Sequence, residues 1–408
     1  MDSITHSLVG VLIGETASRC VSVSPSGLAA ESRRNAFVWV MGIGSNLPDA
    51  DLLVSFGRGD RLEYLLQHRG YTHTVLGALA GAALIYLALE VILRLRGLAP
   101  SRQDRLWLAL LAALGPLLHL AMDFTNSYGV HPFWPLDNGW RYGDSVFIAE
   151  PLIWAAATPL LFVLRSLLAR ILVGAALLLS LLAAAFSGLA PLGGALTLAA
   201  LIGAMWVVSR RTLPRTALCV GIGLWISVTA VFVGAGRAAA GEIRDYSTLH
   251  FPRAVLLDHA LTPMPADPLC WEVLLVQLEG ERYIARRGVL SLVPAFIPPA
   301  RCRDRIGGAS TAGALQAVED AGSAGLLWRG EFSMSRDSLA QLAAQQCIAA
   351  AFLRFARVPW AIEGAAGWQM GDLRFDRPGG RGISSLSLTP GCPRDVPPWV
   401  PPRADLLR

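Results

Sequence analysis

The chain has 408 residues, of which 53% are hydrophobic and only 16% are charged, against about 45–50% apolar and about 25% charged residues in an ordinary soluble domain. The formal net charge is +5, but the arginines stand singly or in pairs between apolar runs, with no basic stripe interleaved with aromatic residues. The composition therefore excludes a purely soluble protein, and we expect no nucleic-acid partner.

Apolar runs of about 20 residues, the length that crosses a bilayer, fill the first part of the chain. They lie at about 36–55, 74–93, 106–122, 146–164, 171–187, 189–208 and 216–236, and a shorter run lies at about 4–18. We predict a mainly α fold, with a polytopic transmembrane bundle of about seven to eight helices over residues 1–237. Residues 238–408 lack such runs and form a second, extramembrane domain.

Arginines in the short loops predict the orientation of the bundle, because such loops stay cytoplasmic. Four loops carry them, at residues 19–34, 94–105, 165–170 and 210–215. These loops alternate as an up-and-down bundle requires, so we predict a multi-pass protein of the bacterial cytoplasmic membrane with eight crossings and both termini outside. The first run is the weakest span: it has only about 15 residues and contains His6 and Glu15, so a re-entrant segment is the alternative.

The second domain is predicted to be α+β and extracytoplasmic. Trp271–Glu279 and Arg282–Leu292 have the pattern of paired strands, Ser338–Arg357 that of a helix, and a Pro-rich tail follows from Pro390. Four cysteines lie here on the predicted oxidising side: Cys270, Cys302, Cys347 and Cys392. They permit three disulfide pairings, and four free thiols are the alternative.

Histidine and aspartate cluster in the first third of the chain, although ionisable side chains in membrane helices are costly, at about 2.5–3.5 kcal/mol each at the bilayer centre. His119 and Asp123 are four residues apart on one helical face, as are Asp2 and His6. The remaining members are Asp49, Asp51, His68 and His73. Taken singly, each residue also has a structural or helix-capping interpretation.

All of these residues fall at the predicted outer ends of four separate segments, although the orientation was assigned from the arginines alone. Imidazole and carboxylate ligands together suit zinc, iron or manganese. The pattern therefore predicts a site for a divalent metal, with zinc favoured, and two ions are an option. The motifs of zinc proteases, serine hydrolases and phosphate-binding loops are absent from the sequence, which leaves metal-activated water as the leading chemistry.

Three further polar residues receive roles from their positions. Arg69, beside His68, is a candidate for orienting a phosphate, with lipid headgroup contact as the alternative. Asp144 borders the following helix and is a candidate ligand or a residue supporting one. Asp49 is the candidate proton acceptor from bound water, while His131 and Asp137 in the outer loop are weaker candidates.

Five ordered blocks of sequence resemble the YdjM-type family of bacterial inner-membrane, predicted metal-dependent hydrolases. They are MDSITHSLVGVLIGE, NLPDADLL, HRGYTHT, HLAMDFTNSYG and DSVFIAEP, within about residues 1–155. The resemblance implies hydrolase activity with a bound metal, and the matching polar positions are His6, Asp49, Asp51, His68, His73, His119 and Asp123. The His-x-x-x-Asp element is also remotely similar to one in zinc-dependent phospholipases C and single-strand nucleases.

Our leading hypothesis is a membrane-embedded hydrolase that acts on a phosphoester or lipid-related substrate at the outer face of the membrane. The lipid bilayer is the expected partner, and the sequence identifies no protein partner. Metal ligands would be His6, Asp51, His68, His73, His119 and Asp123, with Asp49, Arg69 and Asp144 in catalytic roles. The alternative is a non-enzymatic membrane protein, either a metal-ion carrier or a scaffold whose outer domain binds a partner.

Overall fold

A computed structural model gives the structure of the chain and describes all residues except 22–26, 57–60, 189, 303–314, 321, 366, 377–383 and 408. The helices are α1 Ser3–Cys20, α2 Ala30–Gly44, α3 Asp51–Phe56, α4 Arg61–Gln67, α5 Val75–Leu95, α6 Arg102–Phe124, α7 Pro151–Trp154, α8 Leu160–Val163, α9 Leu167–Phe186, α10 Leu192–Arg211, α11 Pro214–His250, α12 Arg336–Gln345 and α13 Cys347–Phe352. The strands are β1 Val255–Met264, β2 Asp267–Glu279, β3 Arg282–Ser291, β4 Leu326–Ser335, β5 Pro359–Gly364, β6 Gly367–Asp372 and β7 Leu386–Ser387.

Five helices among the described residues are long and apolar enough to cross a membrane: α5, α6, α9, α10 and α11. The protein is therefore mostly helical with several candidate spans, but the predicted count of seven to eight is not confirmed. The run at 36–55 is not one helix, because α2 ends at Gly44 and a 3₁₀ segment, Leu47–Ala50, follows. Pro48 has no amide hydrogen to donate to the Gly44 carbonyl, and its ring clashes with that carbonyl, so the α-helix ends there.

The run at 146–164 is likewise interrupted. It forms α7, a 3₁₀ turn at Ala155–Ala157 and α8, with Pro159 immediately before α8. A proline at this position removes a helical hydrogen bond and clashes with the preceding turn. Hydropathy predicted the apolar character of this segment but not its broken backbone.

The first two helices pack on the apolar spans and bury ionic groups at the predicted inner side. Glu15 of α1 is fully buried and pairs with Arg19 and with Arg34 of α2. Asp104, at the start of α6, accepts a hydrogen bond from Arg33 at 2.8 Å. These pairs connect α1, α2 and α6 at the end of the bundle opposite the histidine cluster.

Helix α11 has 37 residues, or about 55 Å, which exceeds the roughly 30 Å hydrocarbon thickness of a bilayer. It runs through the predicted domain boundary at residue 237. Its last turns pack on the extramembrane sheet, where Ala239 and Ile243 share a core with Trp271 and Leu275. One continuous helix therefore links the bundle to the second domain.

The second domain contains two antiparallel sheets. The first has the order β1-β2-β3-β4, and the second has the order β5-β6-β7. Strands β2 and β3 pair in register from Cys270↔Ser291 to Glu279↔Arg282, which agrees with the predicted hairpin. The predicted helix at 338–357 is divided instead into α12 and α13, with Gln346 in extended conformation between them.

Cysteine pairing is resolved in the structure, with disulfides Cys270–Cys302 and Cys347–Cys392. The structure therefore selects this one of the three pairings that the sequence permits. The cysteines at 20 and 219 are free.

The second domain shares a hydrophobic core with the polar end of the bundle. Leu65 and Leu66 of α4 and Tyr128 of the loop after α6 lie in one buried cluster with Phe355 and Trp399. The short helix that precedes His68 is therefore held partly by residues more than 280 positions later in the chain.

Candidate metal centre

Helix α6 contributes two side chains from one face. His119 and Asp123 are fully buried, and Nε2 of His119 lies 3.3 Å from Oδ2 of Asp123. Gly115, one turn earlier, contacts Gly44 so closely that a Cβ on Gly115 would lie 2.9 Å from the Gly44 backbone. This approach brings the backbone carbonyl of Ser45 within 2.7 Å of Nδ1 of His119.

The turn after α4 contributes His68 and His73. Between them Arg69 adopts the left-handed conformation, with φ of 59°. A non-glycine residue rarely adopts this conformation unless surrounding contacts hold it. Here the Arg69 amide donates to Asp51 Oδ2 at 3.0 Å, and the guanidinium donates to Asp123 Oδ1 at 2.9 Å.

Four ligand atoms converge: Nε2 of His73, Nε2 of His119, Oδ2 of Asp123 and Oδ1 of Asp49. From His73 Nε2 the distances are 3.0 Å to His119, 3.1 Å to Asp123 and 3.4 Å to Asp49. From His119 Nε2 to Asp49 the distance is 3.5 Å. Tetrahedral zinc with bonds of about 2.0–2.2 Å places its ligand atoms roughly 3.3–3.6 Å apart. The two longer distances fall within this range and the two shorter ones lie just below it, so the four atoms are close enough together to hold one metal ion.

The protonation of the two imidazoles supports the same interpretation. Nδ1 of His119 must donate to the Ser45 carbonyl, so its Nε2 carries a lone pair. Nδ1 of His73 lies 3.1 Å from Thr72 Oγ1 and 3.4 Å from Asp51 Oδ2. Oδ2 of Asp123 is buried without a hydrogen-bond donor among the described residues. Lone pairs and carboxylate oxygens that face one another without donors are the arrangement that a cation stabilises.

A second group of potential ligands comprises Asp49, Asp51 and His68, and Asp49 belongs to both groups. Nδ1 of His68 lies 3.2 Å from Asp51 Oδ1. Burial alone would raise the pKa of Asp51, but hydrogen bonds from His68 and His73 hold that pKa well below its ordinary value. The pKa of Asp49 is also held well below its ordinary value, against the effect of burial, by its contacts with His119 and His73. Both carboxylates are therefore ionised and able to bind a cation.

His6 lies beside the first group without being one of its four members. Its ring stacks on His119 with centroids 3.7 Å apart, and its Nε2 lies 3.2 Å from Asp123 Oδ1. The amino group of Met1 contacts the same oxygen. The structure thus brings the predicted ligands together. His6 contacts Oδ1 of Asp123, whereas the four converging atoms include Oδ2 of that residue.

Arg69 and Asp144 have different surroundings from those expected. The guanidinium of Arg69 is buried and donates to Asp123 and Asn126, and burial lowers the Arg69 pKa to about 10. Asp144 forms a two-point ion pair with Arg357 of the second domain, at 2.8 Å for each oxygen. Arg69 therefore positions Asp123, and Asp144 connects the outer loop to the second domain.

The weaker candidates also have structural contacts. His131 stacks on Trp399 at 3.9 Å and hydrogen-bonds the Arg69 carbonyl at 3.2 Å through Nδ1, while burial lowers its pKa to about 3. Asp137 pairs with Arg141. Neither residue belongs to the two ligand groups.

A cleft of about 670 Å³ reaches the second ligand group from outside. Its lining includes Asp51, Thr72, Tyr71, Arg394 and Pro397. The C-terminal segment is fixed there, because Trp399 Nε1 donates to the Leu66 carbonyl at 3.1 Å. The sequence indicated neither this segment nor Thr72 as part of the site; the only available signal was the position of Thr72 between His68 and His73.

The fold and the cluster define a polytopic membrane protein with a candidate metal-binding site. Residues 1–193 match the family model described as YdjM inner membrane protein, which confirms the resemblance and extends it beyond residue 155. No curated protein and no solved structure matches the chain.

Proposed function

We propose that the chain is a metal-dependent hydrolase of the cytoplasmic membrane, with its site open to the outer face and a phosphoester as substrate. The observation that carries this proposal is the convergence of His73, His119, Asp123 and Asp49 on one point. A divalent cation bound there would activate water for attack and stabilise the leaving oxygen. Zinc suits this ligand set best, while iron and manganese accept the same ligands.

The residues around the ligand atoms have distinct tasks. Ser45 and Thr72 fix the orientation of the two imidazole rings, and Arg69 fixes the Asp123 carboxylate, as groups outside the ligand shell do in metal sites. Asp49 belongs to both ligand groups, which favours a role as a metal ligand over the proton-acceptor role predicted from the sequence. Two ions, each held by its own group, are therefore part of the proposal.

The cleft gives the proposal a route for substrate. It has room for a phosphoester, since its volume of about 670 Å³ lies within the range of about 300–1,000 Å³ usual for small-molecule sites. Arg394, one of its lining residues, is exposed and forms no ion pair with any described residue. A guanidinium in this position suits a phosphate group, for which planar two-point hydrogen bonding is favourable.

Metal analysis combined with turnover tests the proposal. Full-length protein in detergent should contain at least one divalent ion per chain and should hydrolyse bis(p-nitrophenyl) phosphate or a phospholipid from a defined panel. His119→Gln should lose the ion and at least about a thousandfold in turnover, whereas His250→Gln, in the second domain, should retain both.

Absence of stoichiometric metal in the wild type would overturn the metal centre. Bound metal with no turnover on the panel, together with metal uptake into proteoliposomes, would instead support a carrier. The clustering of the ligands at one end of the bundle favours the enzyme, because carriers place their sites near mid-bilayer.

A further inference from the structure

A second concave site lies on the other side of the outer end of the bundle. It is a groove of about 1010 Å³ between α10, α11 and the second domain. Its lining includes Leu192, Leu201, Val228, Val231, Phe296 and Arg301. None of these residues belongs to either metal-ligand group, so this site goes beyond the proposed hydrolase function and is independent of it.

The groove lies at the level where lipid headgroups are expected. Leu192 begins α10, whereas Arg210 and Arg211 end it, so the arginine-based orientation places the groove at the outer surface. Only 22% of the apolar window of α10 is buried, and the rest of that helix therefore faces lipid. On one side, α10 and the second domain are in direct contact and close the groove, since a Cβ on Gly194 would lie 2.6 Å from the carbonyl oxygen of Ala266.

The rim of the groove exposes apolar side chains that water would not stabilise. Phe296 is 83% exposed and Leu192 is 75% exposed. The loop that carries Phe296 and Arg301 is fixed in place by the disulfide at the next residue, Cys302, to Cys270 of β2. An apolar rim held rigidly beside membrane helices is suited to contact with acyl chains.

The positive charge of Arg301 at the groove favours a lipid with an anionic headgroup. Arg301 is exposed and pairs with no carboxylate among the described residues. The other charged residue in the lining, Asp267, is buried and accepts a hydrogen bond from the Leu269 amide at 2.9 Å. One accessible cation above an apolar groove complements an anionic phosphate above an acyl chain.

We propose that this groove binds one anionic phospholipid of the outer leaflet. An acyl chain lies between α10 and α11, and the phosphate contacts Arg301. The lipid thereby fills the space between the membrane helices and the second domain.

Photo-crosslinking of the full-length protein in nanodiscs tests this site. The bilayer would be phosphatidylcholine with a small fraction of phosphatidylglycerol that carries a diazirine in its acyl chain. We expect labelled peptides from the start of α10, the middle of α11 and the Phe296–Arg301 loop. Labelling there should exceed that by the matched phosphatidylcholine probe about fivefold, the factor expected for one arginine near a membrane surface.

Three variants separate specific binding from general lipid contact. Arg301→Gln should remove the preference for phosphatidylglycerol, and Val231→Trp should reduce labelling by both probes because it fills the groove. Arg253→Gln, an exposed arginine outside the groove, is the matched control and should behave like wild type. Equal labelling by both probes, or labelling spread over all lipid-facing helices and unchanged by Arg301→Gln, would overturn the proposal. The readout is lipid labelling, so it is unaffected by failure of the hydrolase assay.

Discussion

Nε2 of His73 lies 3.0 Å from Nε2 of His119, and the other nitrogen of each ring has its own hydrogen-bond partner. Two imidazole lone pairs at this distance repel unless a proton or a cation lies between them. Two carboxylate oxygens lie within 3.5 Å of the same nitrogens. A bound cation would remove this repulsion and pair with the carboxylates, so we interpret the cluster as a candidate metal site.

Thr72 should affect metal affinity without touching the metal. Its hydroxyl lies 3.1 Å from Nδ1 of His73, and groups that orient a metal-binding histidine typically contribute 10–100-fold to affinity. We therefore expect Thr72→Val to weaken metal binding by about that factor in competition with a fluorescent chelator. Thr72→Ser retains the hydroxyl and should bind like wild type. Equal affinities for Thr72→Val and wild type would contradict the assigned orientation of His73.

Asp144 should contribute to stability and not to metal content. Arg357 binds Asp144 and also Asp258, at 2.8 Å, and loss of one partner of a buried pair costs about 3–5 kcal/mol. Arg357→Leu should therefore lower the thermal unfolding temperature substantially, and Asp144→Asn should lower it less, with metal retained in both. If Asp144→Asn lost turnover at unchanged unfolding temperature, the catalytic role predicted from the sequence would be restored.

Glu150 should make stability fall as pH rises. Burial raises its pKa to about 8, although the Leu152 and Ala266 amides donate to it. Between pH about 4.5 and 8 the folded state then binds more protons than the unfolded state, so stability decreases with pH, by about 1.4 kcal/mol per unit at most. From pH 5.5 to 7.5 the unfolding temperature of wild type should therefore fall relative to that of Glu150→Gln, whose side chain does not titrate. A constant difference would show that the Glu150 carboxyl does not titrate there.

Cys20 and Cys219 should form a disulfide on oxidation. Their sulfurs lie 3.9 Å apart, at the end of α1 and near the start of α11, and a disulfide needs about 2.05 Å. Copper-phenanthroline should produce a crosslinked tryptic peptide in membranes, and Cys20→Ser should not. Failure to crosslink would contradict the packing of α1 against α11.

Sidedness can be measured with an impermeant thiol reagent. In a background without Cys20 and Cys219, Arg253→Cys should be labelled in spheroplasts, because the second domain is proposed to be outside. Thr212→Cys, in the short loop between α10 and α11, should be labelled only after lysis. The reverse pattern would place the metal centre at the cytoplasmic face and invert the proposed orientation.

Much of the site was accessible from the sequence because the signals were local. His119 and Asp123 lie one turn apart on a helix, so their proximity follows from helical geometry. The gathering of Asp49, Asp51, His68 and His73 with them was predicted from sidedness, which requires only charge counting. The apolar runs likewise predicted the candidate spans, apart from the two that Pro48 and Pro159 interrupt.

Contacts between distant segments were not accessible in this way. Periodicity contains no information on which loop a buried arginine reaches, so Arg357 could not be paired with Asp144, nor Trp399 with Leu66. Arg69 was a candidate for orienting a phosphate or for contacting lipid headgroups because of its position beside His68, yet its guanidinium donates to Asp123.

By itself, therefore, the sequence determined that this is a membrane protein with histidine and aspartate at one end of its helices, since length, hydropathy and charge act locally. Only the tertiary structure decided which of these side chains converge on one potential metal site. Distances of 3.0–3.5 Å between His73, His119, Asp123 and Asp49 depend on the packing of three separate segments. Their approach requires the Gly44–Gly115 contact and the left-handed turn at Arg69.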